Sequence, residues 1–375
     1  MKLRVERDVL ADSVSWAART LPSRPSLPVL AGLVLTASDA GLTLSSFDYE
    51  VSGRVEVPAD VSGEGVSLVS GRLLDAIARA LPPAPVQIET EGTRLIITCG
   101  RSSFELPTLP VEDYPQLPMM PSASGTVPGR IFASAIAQVA IAAGRDDTLP
   151  TLTGIRMEIE GPTIVLAATD RYRLAVREFI WNPQSSSVSS IALIPARTLA
   201  DTAKSLADVD EVVIALASGS AGEGLIGFEG HGRRTTTRLL DGEFPKYRSL
   251  LPTESAAMAT VDTAALIDSV KRVALVAEKN TPVKLAFEGQ ELTLRAGTGD
   301  EAKAFEVIES SMDGDDIDIA FNPTYLLDGL SAVGSTLTRF AFTNSNRPAV
   351  LSGVDDDGAI QDDYKYLLMP VRLTG

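Results

Sequence analysis

The chain predicts an α+β fold made of three tandem copies of one domain, each with two helices packed on an antiparallel sheet. Three observations carry this reading: a repeat near 125 residues, helix-period segments at matching places in each repeat, and alternating strands between them. The repeat shows first in "LTLSSFD" (42–48), "IVLAATD" (164–170) and "LTLRAGT" (292–298), where Leu44, Leu166 and Leu294 are spaced by 122 and 128 residues. Downstream, "SGRLLDAI", "PARTLADT" and "NPTYLLDGL" place Leu74, Leu199 and Leu327 at spacings of 125 and 128. Upstream, "DVLADSVSWAA", "RIFASAIAQVAIAA" and "AALIDSVKRVALVA" begin each copy, with Leu10 and Leu266 separated by 256.

Each element can be justified from its pattern. In the opening helix Val9, Leu10, Val14 and Ala17 fall on one 3.6-period face, as Leu266, Val270 and Val273 do in the third copy. Val51, Gly53, Val55 and Val57 alternate with Ser52, Arg54 and Glu56, and Ile155, Met157 and Ile159 repeat the alternation, which is a strand half-buried on one face. Proline-rich "DYPQLPMMPSASG" and "EFPKYRSLLPTES" read as linkers. The expected domains are 1–121, 122–253 and 254–375.

The 375 residues exceed one ordinary core. No apolar run reaches the roughly 18 residues of a membrane span, and "MKLRVERDVLADSV" lacks the apolar core of a secretory signal. A single cysteine, Cys99, excludes an internal disulfide framework and suits a reducing compartment, so a cytoplasmic protein is expected. Cys99 itself reads as a small core residue on a strand.

The site motifs are weak. "GEGLIG" (222–227) matches G-x-G-x-x-G and comes after a strand pattern, but "FEGHGRRTTTRLL" beyond it has no helical period, so a hairpin turn is expected instead of a dinucleotide site. "DGDDID" (313–318) and "VDDDG" (354–358) lack calcium-loop spacing and read as solvated loops. His231 is the only histidine, which leaves no Ser-His-Asp triad or histidine metal cluster within one chain. No cofactor, metal or catalytic residue is expected. A carboxylate-only hydrolase would need two carboxylates converging in one pocket, and a purely structural oligomer would need no surface for nucleic acid.

Charge is uneven. The net charge of −16 argues against a basic nucleic-acid glove. Yet the helix windows 8–20, 72–80, 130–145, 197–206, 263–279 and 323–333 hold ten basic residues against seven acidic ones. Those basic residues are Arg19, Arg72, Arg79, Arg130, Arg145, Arg197, Lys204, Lys271, Arg272 and Lys279. A mildly positive helix surface on an acidic body is expected.

Several motifs together resemble the bacterial sliding clamps, the β subunits of DNA polymerase III: "SRPSLPVLAGLVLTA" (23–37), "ATDRYRLAV" (168–176), "LLDGEFPKYRSLLP" (239–252), "FNPTYLLDGL" (321–330) and "YLLMPVRL" (366–373). "TDRYRLA" is similar to actinobacterial members. The resemblance implies a non-catalytic processivity factor: a head-to-tail homodimeric ring that encircles double-stranded DNA without sequence preference. It also implies that the polymerase α subunit, clamp loader and repair proteins insert a peptide between the second and third domains. By matching position the groove residues are Leu152, Thr169, Arg173, Leu174, Pro245, Leu250, Asn322, Tyr325, Met369, Pro370, Val371 and Arg372. The matched DNA contacts are Arg24, Arg72 and Arg197, where "SGR" and "PAR" carry one basic residue in place of the family's frequent two. The matched dimer contacts are Phe104 and Leu106 on one edge and Leu275 and Val276 on the other. Where many members have Gly-His, this chain has Arg171-Tyr172, which narrows or re-charges the groove rim.

Overall fold

The computed structural model describes residues 1–216, 224–277, 281–297, 302–355 and 357–372. Gly222, Glu278, Lys279, Thr298, Asp356 and Leu373, which belong to the sequence patterns, lie outside the described residues. Among the described residues are six α-helices: α1 (Arg7–Ala17), α2 (Gly71–Ala80), α3 (Gly129–Ala140), α4 (Ala196–Ser205), α5 (Thr263–Val273) and α6 (Pro323–Val333). They fall two to a repeat, with antiparallel strands between. None is long and apolar enough to cross a membrane.

The chain divides into two compact units. One comprises Met1–Arg130, Asn182–Ser185 and Lys204–Leu239, and the other Ile131–Trp181, Ser186–Ala203 and Leu240–Gly375. Each unit carries one long sheet, and each sheet runs through the junction of two repeats. In the first, Val51–Val57 pairs with Arg233–Arg238. In the second, Arg173–Ile180 pairs with Tyr364–Leu368, with Arg173 opposite Leu368. The shared ladders satisfy backbone groups that would otherwise be left open at a domain edge.

Helix α1 buries Leu10, Val14 and Ala17 with Ser13 and Trp16. Val9 departs from the expected face: it is 39% exposed. It lies about 100° around the helix from Leu10, at the margin of the stripe. In the strand Gly154–Glu160, Ile155, Met157 and Ile159 are buried, so Arg156 and Glu158 point to the opposite face of the sheet. Beyond Gly224 the chain forms a hairpin, Leu225–Gly230 to Arg233–Arg238, with left-handed His231 and Gly232 at its turn. That geometry leaves no helix N-terminus for a dinucleotide phosphate. Cys99 is buried at the end of Arg94–Cys99, with its thiol near the carbonyls of Pro82 and Ala84.

The two proline-rich segments are more than linkers. Ala123 begins a strand, Ala123–Pro128, and the second segment is packed down as part of the second unit's core. Phe244 and Tyr247 are buried with Ala167, Leu174, Leu193, Val350 and Leu367 on the sheet face away from the helices. Each large apolar side chain so buried contributes roughly 1.5–3 kcal/mol, enough to hold a segment without regular structure. Polar groups pin its rim, since Glu158 accepts from Arg156 at 2.6 Å and from Arg248 at 2.5 Å. Burial raises the Glu158 pKa, but these two guanidinium bonds outweigh it and leave the carboxyl below its ordinary value of 4.5.

Helix α6 is placed by its small residues and its caps. Asn322 Oδ1 accepts from the Thr324 and Tyr325 N–H groups, Pro323 occupies the first turn, and left-handed Gly334 ends the helix. Gly329 lets the helix rest directly on the Tyr366 ring, because a Cβ there would fall inside the ring's van der Waals envelope. Tyr366 then donates its hydroxyl proton to the Tyr325 carbonyl at 2.8 Å.

This packing has two measurable consequences. Gly329→Ala should lower stability by about 1–3 kcal/mol, read as a fall in Tm by differential scanning calorimetry, because a rigid ring has to move. Glu158 has a depressed folded pKa, so its stabilisation is complete above the ordinary carboxylate range and is lost as pH falls through the folded value. Glu158→Gln should therefore lower Tm at neutral pH and flatten the decline of Tm on acidification below about pH 5.

Candidate functional site

The densest polar chemistry of the second unit sits where Arg173–Ile180 begins. Asp170 Oδ1 accepts from the backbone N–H groups of Tyr172 and Arg173, both at 3.1 Å, and closes a tight turn. That turn forces Arg171 to a left-handed φ of 79°. The Thr169 hydroxyl donates to the Arg173 carbonyl at 2.6 Å and accepts from the Arg171 N–H at 3.2 Å. Thr169 is thus a turn staple, 4% exposed.

Arg173 is the hub. Its guanidinium is buried, donates to Asp170 at 2.9 Å and Asp328 at 2.6 Å, and lies 4.3 Å over the Tyr325 ring. Burial works against its charge, but Tyr366, Asp328 and Asp170 outweigh burial and raise its pKa. The planar fork that satisfies two carboxylates while stacking on an aromatic face is specific to arginine. Tyr172 also stacks on Tyr325, at 6.2 Å between centroids and 24° between planes. The result is a stacked cluster of Arg173, Tyr325 and Tyr172 that joins the second repeat to the third.

This stack is one wall of a cavity of about 480 Å³. Leu149, Leu152 and Ala143 supply apolar lining, and Arg145, Asp146, Asp170, Arg171 and Asp328 supply charge. Of the twelve groove residues read from sequence, Leu152, Arg173 and Tyr325 line this cavity. Leu174 is buried in the core beneath the 240–251 segment, and Pro245 lines a neighbouring cavity of about 360 Å³ beside Arg156, Glu158 and Arg248. Leu250 is half-exposed on the same segment. Asn322 is occupied as a helix cap. Met369 and Val371 are partly exposed, tied down by Met369 N–H to Tyr172 O at 2.9 Å and Val371 N–H to Ala320 O at 2.8 Å. Pro370 is half-buried and Arg372 exposed along the same tail.

Sequence reading passed over Asp146 and Leu149, and treated Arg145 and Asp328 only as helix charges. Asp328 carried a signal, since it stands three positions after Tyr325 on one helix face. The first repeat also holds a second copy of the turn. Tyr49 has φ 76°, Asp48 Oδ1 accepts from Glu50 and Val51 N–H, and Arg238 N–H donates to Glu50 O as Met369 N–H does to Tyr172 O. There Phe47 stands in the place of Thr169, Val51 replaces Arg173, and the Tyr114 hydroxyl accepts from Phe47 N–H at 2.7 Å. Apolar bulk takes the positions that carry the charged hub in the second repeat.

The arginines expected to face DNA are all exposed. Arg72 and Arg197 are each the second residue of their helix, α2 and α4. A cation in a first turn opposes the helix dipole by about 0.3–1 kcal/mol, so these two do not serve helix stability and instead reinforce an anion-attracting end. Arg72 also donates to Pro22 O at 3.0 Å, two residues before Arg24. The helix charge itself is smaller than the sequence windows suggested. Arg19 lies in a separate turn and Arg145 lies beyond α3, which ends at Ala140. Arg79 and Arg272 are already paired with Asp75 and Glu306.

Two strand edges are open among the described residues. Residues 102–107 pair only with Arg94–Cys99, and 304–309 only with Glu291–Ala296. Leu275 is 83% exposed and Val276 half-buried, whereas Leu106 is buried in its own unit and Phe104 packs against that core. Phe305, 76% exposed, and Val307 were missed; their alternation in "AFEVIE" was the available sign.

Removing the hub isolates two carboxylates. Arg173→Met should destabilise the protein by roughly 2–4 kcal/mol in equilibrium denaturation, while Arg173→Lys, which keeps the charge but not the fork, should restore only part of that loss.

Comparison with known proteins covers the whole chain. The family model of the DNA polymerase III beta subunit N-terminal domain matches residues 1–118, that of the central domain 126–246 and that of the C-terminal domain 248–372. The beta sliding clamp of Streptomyces coelicolor is 61% identical over 376 residues, covering 100% of both chains. A beta sliding clamp homolog, GriR, of Streptomyces muensis is 45% identical, covering 99% of each. The crystal structure of the Pseudomonas aeruginosa sliding clamp bound to griselimycin superposes with a TM-score of 0.92 at 28% identity and full coverage of both chains. The three repeats, the helix pairs and the strand ladders are therefore those of one family: the chain belongs to the DNA polymerase III beta subunits, the beta sliding clamps, which are processivity factors and not catalysts.

Proposed function

We infer that two copies of the chain close head to tail into a ring around double-stranded DNA and tether the replicative polymerase, the clamp loader and repair proteins. The observation that carries this is the cavity at the junction of the second and third repeats, with its apolar lining and its Arg173–Tyr325–Tyr172 wall, in a chain without a catalytic constellation in its sequence. Partner peptides enter there, and the twelve residues from Leu152 to Arg372 form the groove and its margins. The open strand edges at 102–107 and 304–309 support ring closure by backbone pairing between copies, with Phe104, Leu275 and Val276 as apolar contacts, Phe305 and Val307 beside them, and Leu106, buried in its own core, backing the edge from within. The proposed domains are 1–121, 122–253 and 254–375, with one helix pair in each. The cytoplasm, with no membrane partner, is the proposed location.

Arg24, Arg72 and Arg197 would meet phosphates without reading bases. A ring held by topology needs only weak, salt-sensitive attraction, and a strongly basic lining would hinder sliding.

The test is retention. Protein loaded onto nicked circular DNA by a clamp loader should remain on circles and leave when the DNA is linearised; a protein that never loads, or that survives cutting, is not a topological clamp. Arg24→Ala with Arg72→Ala and Arg197→Ala should reduce loading and lower the dependence of DNA binding on salt by about one counterion per arginine removed. Leu275→Lys should shift sedimentation toward monomer.

A further inference from the structure

The cavity of about 360 Å³ beside the 240–251 segment lies within the second unit and shares no residue with the one at Asp170. Its wall is made by Arg156 and Glu158 on the strand Gly154–Glu160 and by Phe244 to Ser249. Glu158 is the carboxylate of that wall. It accepts from Arg156 at 2.6 Å and from Arg248 at 2.5 Å, so one negative charge serves two guanidiniums. Lys246 adds a third cation, exposed and in no ion pair among the described residues. Glu178 also attracts Arg248, but it does not line the cavity and leaves the balance positive.

An acceptor is missing as well. Tyr247 is 3% exposed and lines the cavity, and its hydroxyl has no hydrogen-bond partner among the described residues. Burial, with the neighbouring Glu158 charge, pushes its phenol up to about 12, so it keeps its proton at neutral pH and remains a donor. The Arg248 guanidinium lies 5.0 Å from the centre of the Tyr247 ring, which fixes it beside that phenol. Arg156 reaches Glu158 through Nε, and among the described residues its terminal nitrogens are left to donate. The unmet groups are thus of one kind: N–H and O–H donors with net positive charge. Lys246 is not needed to hold the segment, because Phe244 and the Tyr247 ring are already seated in the core.

We propose that this cavity is a binding site for a phosphate group, held by Arg156, Lys246 and Arg248, with Tyr247 donating to one of its oxygens. A phosphate presents acceptor oxygens in several directions and carries up to two negative charges. That matches donors converging from a sheet face and from the segment packed over it, whereas a carboxylate offers two oxygens in one plane. Arginine grips such a group through paired N–H bonds. None of Arg24, Arg72 and Arg197 lines the cavity, so the site is separate from the proposed DNA contacts. Exposed Lys246 and Ser249 stand at its margin, and the opening admits both the free ion and a phosphate monoester on a larger ligand.

The experiment is isothermal titration calorimetry of the whole protein at constant ionic strength, with inorganic phosphate, phenyl phosphate and acetate as probes. Saturable binding of a phosphate probe, tighter than acetate, is expected. Tyr247→Phe, which removes one donor and keeps the ring in the core, should weaken it about tenfold. Lys246→Gln, which breaks no bond of the fold, should weaken it about twofold to fivefold, and less at high salt. The combined Arg24→Ala, Arg72→Ala and Arg197→Ala variant should bind phosphate here as the unaltered protein does. Binding of phenyl phosphate as well as the free ion would support a ligand that carries a phosphate monoester, and binding of inorganic phosphate alone a site for the free ion. No saturable binding, acetate binding as tightly as phosphate, or binding unchanged in both Tyr247→Phe and Lys246→Gln would overturn the proposal. So would loss of binding in the triple arginine variant, which would move the anion to the DNA contacts.

Discussion

The backbone ladder between Arg173–Ile180 and Tyr364–Leu368 is the constraint on which the rest of the second unit depends. It is a main-chain interaction between segments almost two hundred residues apart, and it sets the register of everything nearby. Because Arg173 is opposite Leu368, the Tyr172 carbonyl meets the Met369 N–H, and the tail beyond runs past Ala320. Tyr366, two residues back, places its ring under Gly329 and its hydroxyl on the Tyr325 carbonyl. Shifting the register by one residue would reverse every side chain on the strand and dismantle the hub.

Once α6 is seated, the Arg173 clamp is a local matter of arginine chemistry. Two carboxylates and an aromatic face surround one planar cation, and burial strengthens each interaction while making an unpaired member costly. The same ladder motif recurs in the first unit between Val51–Val57 and Arg233–Arg238, with an equivalent turn at Asp48. There Phe47 and Val51 take the places of Thr169 and Arg173, and Tyr114 bonds to the turn. Duplication supplied two similar turns, and side-chain divergence left the charged hub in one.

Charge is arranged on a similar economy. The chain is strongly acidic as a whole, and its helices are only slightly basic once paired residues are discounted. What distinguishes Arg72 and Arg197 is position: each adds a cation to the first turn of a helix, where the free N–H groups already attract anions. A cation so placed draws phosphate weakly and reads no base, which is what the proposed DNA contacts require.

By itself the sequence determined the threefold repeat, the α+β class, the helix pairs and the family, because hydrophobic periodicity and spacing are local properties that survive divergence. Through the resemblance it also marked Arg171, Tyr172 and Arg173 as groove positions. It did not show that Thr169 and Asn322 spend their polar groups on a turn and a cap, or that the 240–251 segment is packed over a sheet. Nor could it separate Phe305 and Val307, on an open edge, from other alternating apolar residues. Those assignments belong to the tertiary structure, because burial and hydrogen-bond partners come from residues far away in the chain. Asp328 is the clearest case: on its own helix it is one more charge, and only the ladder that brings Arg173 to within 2.6 Å turns it into part of the site.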